Sequence, residues 1–145
     1  MKLVIPVLLL CLSIVACSPP PPPSTQAPLP ASQFLPQPKP LTQPSFIVGP
    51  NQYLTFDFTN TSVQTISGRF QAQGGSGNDI QVFILDNDQM TNWMNHHATS
   101  TWFNSGKITV GSINVRLNPG TYHLIFDNTF SAISSKAITS NVQIQ

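Results

Sequence analysis

The sequence predicts an all-β fold, namely a single β-sandwich of about seven to eight mostly antiparallel strands over residues 45–145. From Phe46 onward, apolar and polar residues alternate in short runs, which is the pattern of strands with one buried face. Clusters of Gly, Asn, Ser and Thr separate these runs at spacings of about ten residues. Helical periodicity is nearly absent, so short strands account for most of this region.

The first two strands are marked by their apolar positions. Leu54, Phe56 and Phe58 alternate with polar residues in the first strand, which ends at a cluster of Thr, Asn and Ser. A second strand is expected over residues 66–72, where Gly68 interrupts the apolar positions. A glycine inside a strand often marks a bulge, so we expect one there.

The later strands follow a glycine-rich turn at residues 74–79. The apolar runs that predict them are residues 80–86, 100–104, 107–117, 121–127 and 137–145. Gly111 lies inside the longest of these runs, and we expect the run to break at this glycine.

One stretch, residues 89–97, has helical rather than strand spacing. The residues predicted to share one helical face are Met90, Trp93, Met94 and His97. One interpretation is that this face is buried and caps an open end of the sandwich. The other is that it stays exposed as a partner surface, because methionine adapts to irregular partners and tryptophan is common at interfaces. The candidate contact residues are then Met90, Trp93, Met94 and Trp102.

The composition excludes partners chosen by bulk charge. Only 8% of the residues are charged, Glu is absent, and the formal net charge is +1. Nucleic acid is therefore not an expected partner, since its binding needs a basic patch or stripe. Ser, Thr, Asn and Gln supply the polarity, which suits an extracytoplasmic β-rich domain.

The N-terminus predicts an export signal over residues 1–16. Lys2 precedes an apolar segment of secretory length, and this segment is too short for a convincing transmembrane helix. The motif Ile14-Val-Ala-Cys17 resembles the bacterial lipoprotein signal, although Ile14 replaces the more usual Leu. In that family the cysteine is lipidated and becomes the mature N-terminus. The resemblance implies that Cys17 is lipidated; the alternative is a plain secretory signal that ends near it.

Lipidation at Cys17 implies a place in the bacterial cell envelope. A single acyl chain such as palmitate anchors a protein only marginally, at about 0.8 kcal/mol per buried methylene, and lipoproteins carry more than one chain. Ser18 follows the cysteine, which in a diderm host implies export to the outer membrane. No cysteine remains for a disulfide, since Cys11 leaves with the signal.

A proline-rich linker is predicted to follow the lipidated cysteine, over residues 17–44. Residues 18–44 contain eleven of the 14 prolines and only one charged residue, Lys39. Proline fixes φ and removes a hydrogen-bond donor, so we expect a disordered, extended spacer. The alternative is a proline-rich ligand for an aromatic groove of another protein.

The C-terminal part of the chain resembles the GOLD (Golgi dynamics) domain family. The residues that carry this resemblance are Gly120, Tyr122, Phe126, Asp127, Asn128, Phe130, Ser131 and Lys136. It covers residues 46–145 and is specific only from Pro119 onward. It implies a β-sandwich that serves as an interaction module. Family members on eukaryotic cargo receptors have a disulfide, and functions that depend on it do not transfer.

Asp127, Asn128 and Phe130 are interpreted as a structural corner between the last long strand and the final strand. Asp and Asn tolerate unusual backbone angles and bind nearby amides with their side chains. Phe130 is expected to fill the core beneath this corner. The alternative is that the cluster forms a binding or catalytic site.

No metal or cofactor is predicted. The segment 86–89 has two carboxylates spaced as in a calcium loop, but it lacks the glycine and the terminal Glu of such loops. His96 and His97 are adjacent, and their side chains diverge in either a helix or a strand, so a shared metal is not expected.

The sequence therefore predicts a membrane-anchored, noncatalytic lipoprotein whose sandwich binds an envelope protein or glycan. The alternative is a hydrolase of envelope polymers that uses carboxylates such as Asp57, Asp79 or Asp127. Such an enzyme needs a cleft in which carboxylates converge.

Overall fold

The structure is a computed structural model and describes residues 37–145. The predicted signal peptide, Cys17 and the linker up to residue 36 lie outside the described residues. Within residues 37–145, no helix is both long enough and apolar enough to cross a membrane.

The described chain is a sandwich of two antiparallel β-sheets with one short helix, which confirms the predicted fold class. In chain order the elements are β1 (Lys39–Pro40), β2 (Ser45–Val48), β3 (Tyr53–Asn60), β4 (Gln64–Gln73), β5 (Ile80–Asp86), α1 (Asn87–Met94), β6 (Phe103–Ile108), β7 (Val110–Leu117), β8 (Gly120–Asp127), β9 (Lys136–Ser140) and β10 (Gln143–Ile144). Eight of these strands have four residues or more, and β1 and β10 have two residues each.

The two sheets are joined by crossings at both of their edges. In the first sheet, β4 pairs with β7 on one side and with β9 and β10 on the other, while β2 and β1 form the outer edge. In the second sheet the strand order is β3-β8-β5-β6. The β2–β3 and β6–β7 connections each link an edge strand of one sheet to an edge strand of the other. These crossings hold the two layers together.

Alternating residues from both sheets form the main core. Phe126 lies at its centre and makes edge-to-face ring contacts with Phe46, Phe56 and Phe70 at centroid distances of 5.0, 6.1 and 5.8 Å. Aromatic pairs in this arrangement are favourable beyond the area that they bury. The other fully buried aliphatic side chains of this core include Ile66, Ile80, Val82, Ile84, Leu117, Leu124 and Ile138.

Two glycines have different roles from those predicted. Gly68 does not form a bulge in β4, because its pairing with β7 continues through this position. Instead, a Cβ at Gly68 would lie 2.6 Å from the Val142 Cα, and its φ of +150° is one that L side chains rarely adopt. Gly111 does not break its run, since it lies inside β7 and a Cβ there would collide with the Phe70 ring. Both glycines allow a close approach across the sheet.

The ordered fold begins before the predicted boundary at residue 45. Lys39 and Pro40 form β1, which pairs with β10, and the Leu41 N–H donates to the Val142 carbonyl at 2.9 Å. The expectation of a disordered linker is therefore wrong for this stretch. Proline is tolerated here because β1 is an edge strand, where one side of the backbone needs no partner.

Helix α1 covers the outer face of the second sheet, so the expectation that it caps an open end of the sandwich is wrong. Phe83, Leu85 and Ile125 form a second apolar cluster on this face, and Met90 and Trp93 of the helix pack against it. Strand β5 is apolar on both faces, and such strands need cover on both sides. The helix supplies the outer cover.

Candidate functional site

Helix α1 and the second sheet form a cavity of about 290 Å³ on the outer face of the sandwich. We call it the aromatic cavity, and its lining residues are Tyr53, Trp93, Met94, His96, Asp127 and Thr129. Two independent strands and the helix meet at this point. The lining combines the rings of Tyr53 and Trp93 with a flexible thioether, an imidazole, a hydroxyl and a carboxylate.

Strand pairing and the helix position the aromatic side chains. Tyr53 of β3 lies directly opposite Asp127 of β8, so both side chains project from the outer face of the sheet. The end of α1 brings Trp93 against them, with the Tyr53 and Trp93 rings 5.0 Å apart at an angle of 85°. Phe83 supports the other side of Trp93 at 5.9 Å. The two rings therefore form two nearly perpendicular walls on a packed base.

The cavity is open to solvent through its aromatic and thioether residues. Tyr53 is 38% exposed and Met94 is 54% exposed, whereas Asp127 is only 6% exposed. The exposed part of the lining is therefore mainly apolar, and Asp127 contributes little of the exposed surface.

The structure divides the predicted contact surface into two parts. Trp93 and Met94 both line the aromatic cavity, and Met90 packs beneath the helix. Trp102 lies near the opposite end of the helix, where its Nε1–H donates to Asp86 Oδ2 at 3.2 Å and its ring contacts Tyr122. Trp102 is therefore not part of the aromatic cavity.

The sequence did not indicate Tyr53 as a site residue, and it favoured Asp127 as part of the corner, with a catalytic carboxylate as the alternative. Both belong to the site because of the register between β3 and β8. Strands β3 and β8 are about sixty residues apart in the sequence, so no local signal gives their register.

The corner after β8 depends mainly on Asn128. This side chain is completely buried, and its Nδ2 donates to the carbonyls of Gly49 and Ser134, each at 2.9 Å. Its backbone N–H donates to the Gln52 carbonyl at 2.9 Å. Asn128 therefore ties the β2–β3 crossing to the segment that leads into β9. Asp127 Oδ1 accepts a hydrogen bond from the Thr129 N–H at 2.9 Å.

Phe130 does not fill the core, in contrast to the expectation from the sequence. It is half-buried, and the Lys107 Nζ lies 4.2 Å from the centre of its ring. The buried residue at the corner is Asn128, and the following turns carry Phe130 out to the edge of the second sheet.

An ion pair between a buried lysine and a partly exposed aspartate lies next to this corner. Lys136 is 2% exposed, and its Nζ donates to Asp79 Oδ1 at 3.0 Å and to the Gly74 carbonyl at 2.8 Å. The hydrogen bond from Lys136 lowers the pKa of Asp79, while partial burial acts in the opposite direction. This lysine connects the glycine-rich turn to the start of β9.

A second polar chain crosses the outer face of the second sheet. His123 Nδ1 lies 2.8 Å from Asp57 Oδ1, and its Nε2 lies 2.9 Å from Asn87 Oδ1. The hydrogen bond with His123 is the main cause of a lowered pKa for Asp57; burial raises this pKa, and a bond from Thr55 lowers it further. His123 therefore links β3, β8 and the first residue of α1.

The three carboxylates considered for catalysis line three different cavities. Asp57 lines one near β1, Asp79 lines one beside Lys136, and Asp127 lines the aromatic cavity. Within residues 37–145, no three His, Cys, Asp or Glu side chains are grouped so that they could hold a metal ion.

The fold and this site define a β-sandwich with an aromatic-lined cavity on one outer face. No protein-family model matches the chain. No curated protein sequence is significantly similar to it.

Proposed function

We propose that this chain is a membrane-anchored, noncatalytic lipoprotein of the bacterial cell envelope whose sandwich binds a protein or a glycan. The aromatic cavity is the observation that carries this proposal. Aromatic rings beside a few convergent polar groups are typical of binding sites, because the rings supply contact area and the polar groups fix orientation. Proteins and glycans both present surfaces that pack on such rings.

The sequence motifs support the anchoring part of the proposal. The lipoprotein-like motif that ends at Cys17 implies a lipid anchor, and Ser18 implies the outer membrane in a diderm host. The proline-rich residues that follow suit a spacer between membrane and domain. The GOLD-like residues in and after β8 support an interaction module, since domains of that kind serve interaction rather than catalysis.

The alternative, a hydrolase of envelope polymers, has weaker support. The carboxylates considered for it line separate cavities, so they do not form an acid and base pair around one substrate. Asp86 and Asp88 do line one cavity. Asp86, however, is engaged at both oxygens, with the Gln89 N–H and the Trp102 Nε1–H.

Site-specific cross-linking in intact cells tests the proposal. A photo-reactive phenylalanine analogue replaces Met94, which is 54% exposed at the aromatic cavity. The matched control carries the same analogue at Val110, which is 60% exposed on the first sheet. We expect a discrete cross-linked species, protein or glycan, from position 94 and not from position 110.

A further variant links cross-linking to the ring of Trp93. Trp93→Ala, combined with the analogue at position 94, is expected to reduce the cross-linked species severalfold while the domain stays folded. Equal cross-linking from positions 94 and 110, or an undiminished species in the Trp93 variant, would contradict a binding role for this face.

A further inference from the structure

Asp127 as a residue is largely buried, and its carboxylate has no cationic partner among residues 37–145. The exposed fraction of Asp127 is 6%. The ion pairs of the described residues involve Asp57 and Asp79 instead. Only Oδ1 accepts a hydrogen bond, from the Thr129 N–H. A buried carboxylate is normally compensated by a cation or by several hydrogen bonds. Asp127 therefore has unused capacity for a positive group.

The aromatic rings beside this carboxylate also favour a positive group. Tyr53 and Trp93 line the same cavity as Asp127, and their rings meet at 85°. The face of an aromatic ring is electron-rich and attracts cations, and tryptophan does so most strongly. The two rings and the carboxylate therefore line one cavity together.

We propose that the aromatic cavity binds an alkylammonium group of the choline type. This inference rests on the proposed function and names the chemistry of its ligand. The methyl groups of the ligand pack against Tyr53 and Trp93, and Asp127 offsets the charge. Met94 is exposed and flexible, so it closes over ligands of different shape.

The size and polarity of the cavity distinguish this ligand from others. Its volume of about 290 Å³ lies at the lower limit of small-molecule pockets, which suits one headgroup rather than an extended chain. A primary ammonium group is strongly hydrated and needs several hydrogen-bond acceptors. An alkylated ammonium group is stabilised by ring faces and a single carboxylate. An anionic ligand is disfavoured by Asp127.

Nuclear magnetic resonance of the full chain in a maltoside detergent tests this inference, because each tryptophan reports on a different place. The chain has two tryptophans; Trp93 lines the cavity and Trp102 lies outside it. Titration with choline is expected to shift the Trp93 indole signal in a saturable way and to leave that of Trp102 unchanged. The neutral isostere 3,3-dimethylbutan-1-ol is expected to bind about tenfold more weakly, because it lacks the charge.

Asp127→Asn is the decisive variant. Asn keeps an oxygen for the Thr129 N–H, so the turn is retained while the charge is removed. We expect about a tenfold loss of choline affinity in this variant. The control is Asp88→Asn, which removes an exposed carboxylate of α1 outside the cavity and is expected to bind choline normally. Thermal melting of both variants verifies that they are folded.

The outcomes separate this inference from the proposed function. Equal affinity for choline and its neutral isostere, an unchanged affinity in Asp127→Asn, or no Trp93 shift overturns the ammonium site, even if cross-linking at position 94 succeeds. Choline binding without any cross-linked species supports the ammonium site and counts against the macromolecular partner. Phosphocholine tests the source of the ammonium group. If it binds at least as tightly as choline, the ligand is a lipid headgroup; if it binds more weakly, the ligand is a free alkylammonium compound.

Discussion

Asn128 shows how one polar residue can be buried completely and still stabilise a fold. Its side chain donates to the carbonyls of Val48, Gly49 and Ser134, and its backbone N–H donates to the Gln52 carbonyl. Without the side chain, the Gly49 and Ser134 carbonyls would lose this donor. A polar side chain in this position therefore organises the corner and does not need a chemical role.

Asn128→Ala is expected to lower the free energy of unfolding by about 1–3 kcal/mol, which is the cost of leaving buried polar groups unsatisfied. Urea denaturation measures this change. The control is Asn114→Ala, an exposed position in β7, where we expect a change within about 0.5 kcal/mol. A destabilisation no larger than that of the control would show that these hydrogen bonds contribute little. Lost partner binding at unchanged stability would identify the corner as a binding site.

The ion pair of Lys136 and Asp79 predicts a specific acid dependence. The folded pKa of Asp79 is lowered below its ordinary value of 3.8, chiefly by the hydrogen bond from Lys136. The stabilisation is therefore present above that value and is lost as the pH falls through the folded pKa. Lys136→Met removes this cause, so we expect a shallower loss of stability below pH 3.8.

Urea unfolding midpoints, measured from neutral pH to below pH 3.8, test this expectation. Lys107→Met is the matched control, because Lys107 affects Asp79 only through a weaker charge interaction. We expect the control to keep the acid dependence of the native chain. If Lys136→Met and the native chain lose stability equally as the pH falls, Lys136 is not the cause of the acid dependence.

Single residues were predictable from the sequence when their role is local. The turn chemistry of Asp127 could be read directly, because its side chain binds the Thr129 N–H two residues away. The hydrogen bonds of Asn128 to Gly49 and Gln52 are long-range and could not be read in this way. The position of the Phe130 side chain could not be predicted, because it depends on whether the chain turns toward the core or toward Lys107. The opposition of Tyr53 and Asp127 depends on strand register, which is a long-range property.

At the scale of elements, α1 is the one helix of the described chain, and its start is well defined. Asp86 accepts from the Gln89 N–H at 2.9 Å, and the Gln89 side chain accepts from the Asp86 N–H at 3.1 Å. This reciprocal pair is a capping box, and the Asp-x-x-Gln spacing of residues 86–89 signals it in the sequence. The helix consequently begins at Asn87 and ends at Met94, earlier than the predicted residues 89–97.

Asp86→Ala is expected to destabilise the helix by about 1 kcal/mol, the usual cost of losing an N-cap. The variant also loses the hydrogen bond from Trp102. Hydrogen exchange of the amides in α1 measures the effect, and we expect faster exchange there than in β8. Asp88→Ala is the control, since Asp88 is exposed and does not cap the helix. Equal exchange rates in the two variants would show that the capping box does not hold the helix.

Strands were predicted best where alternation is strong and worst where the chain changes sheets. Strands β3, β4, β5 and β8 follow the apolar patterns of the sequence closely. The run at residues 107–117 was expected to break at Gly111, whereas β6 ends at Ile108 and β7 begins at Val110. The chain leaves one sheet and joins the other at Thr109, and a β-branched residue gives no sign of such a crossing.

At the scale of the whole molecule, the proposal places a folded domain on a lipid anchor. The domain begins at β1, so the expected spacer is shorter than predicted, and it runs from Cys17 to residue 38. At about 3.1 Å per residue an extended polyproline spacer of this length reaches on the order of 65 Å. This length lets the aromatic cavity face partners away from the membrane surface.

Cys17→Ala is expected to abolish the anchor and yield a soluble or unprocessed protein, because no other residue of the motif is a candidate for lipidation. Partitioning in a detergent phase separation measures this change, with the native chain in the detergent phase. Ser18→Ala is the control and is expected to partition as the native chain does. A Cys17→Ala variant that stays in the detergent phase after processing would contradict lipidation at this cysteine.

The pairing of β1 with β10 determines how the domain can be connected to other chains. Lys39 lies opposite Ile144, so the two ends of the fold are neighbours in one sheet, about 5 Å apart. A few residues are enough to join these ends, and new ends can then be opened at an exposed loop such as residues 61–63. The domain is therefore suited to circular permutation and to insertion into a surface loop of a host protein. In such chimaeras the aromatic cavity can be presented at a chosen orientation, without a membrane.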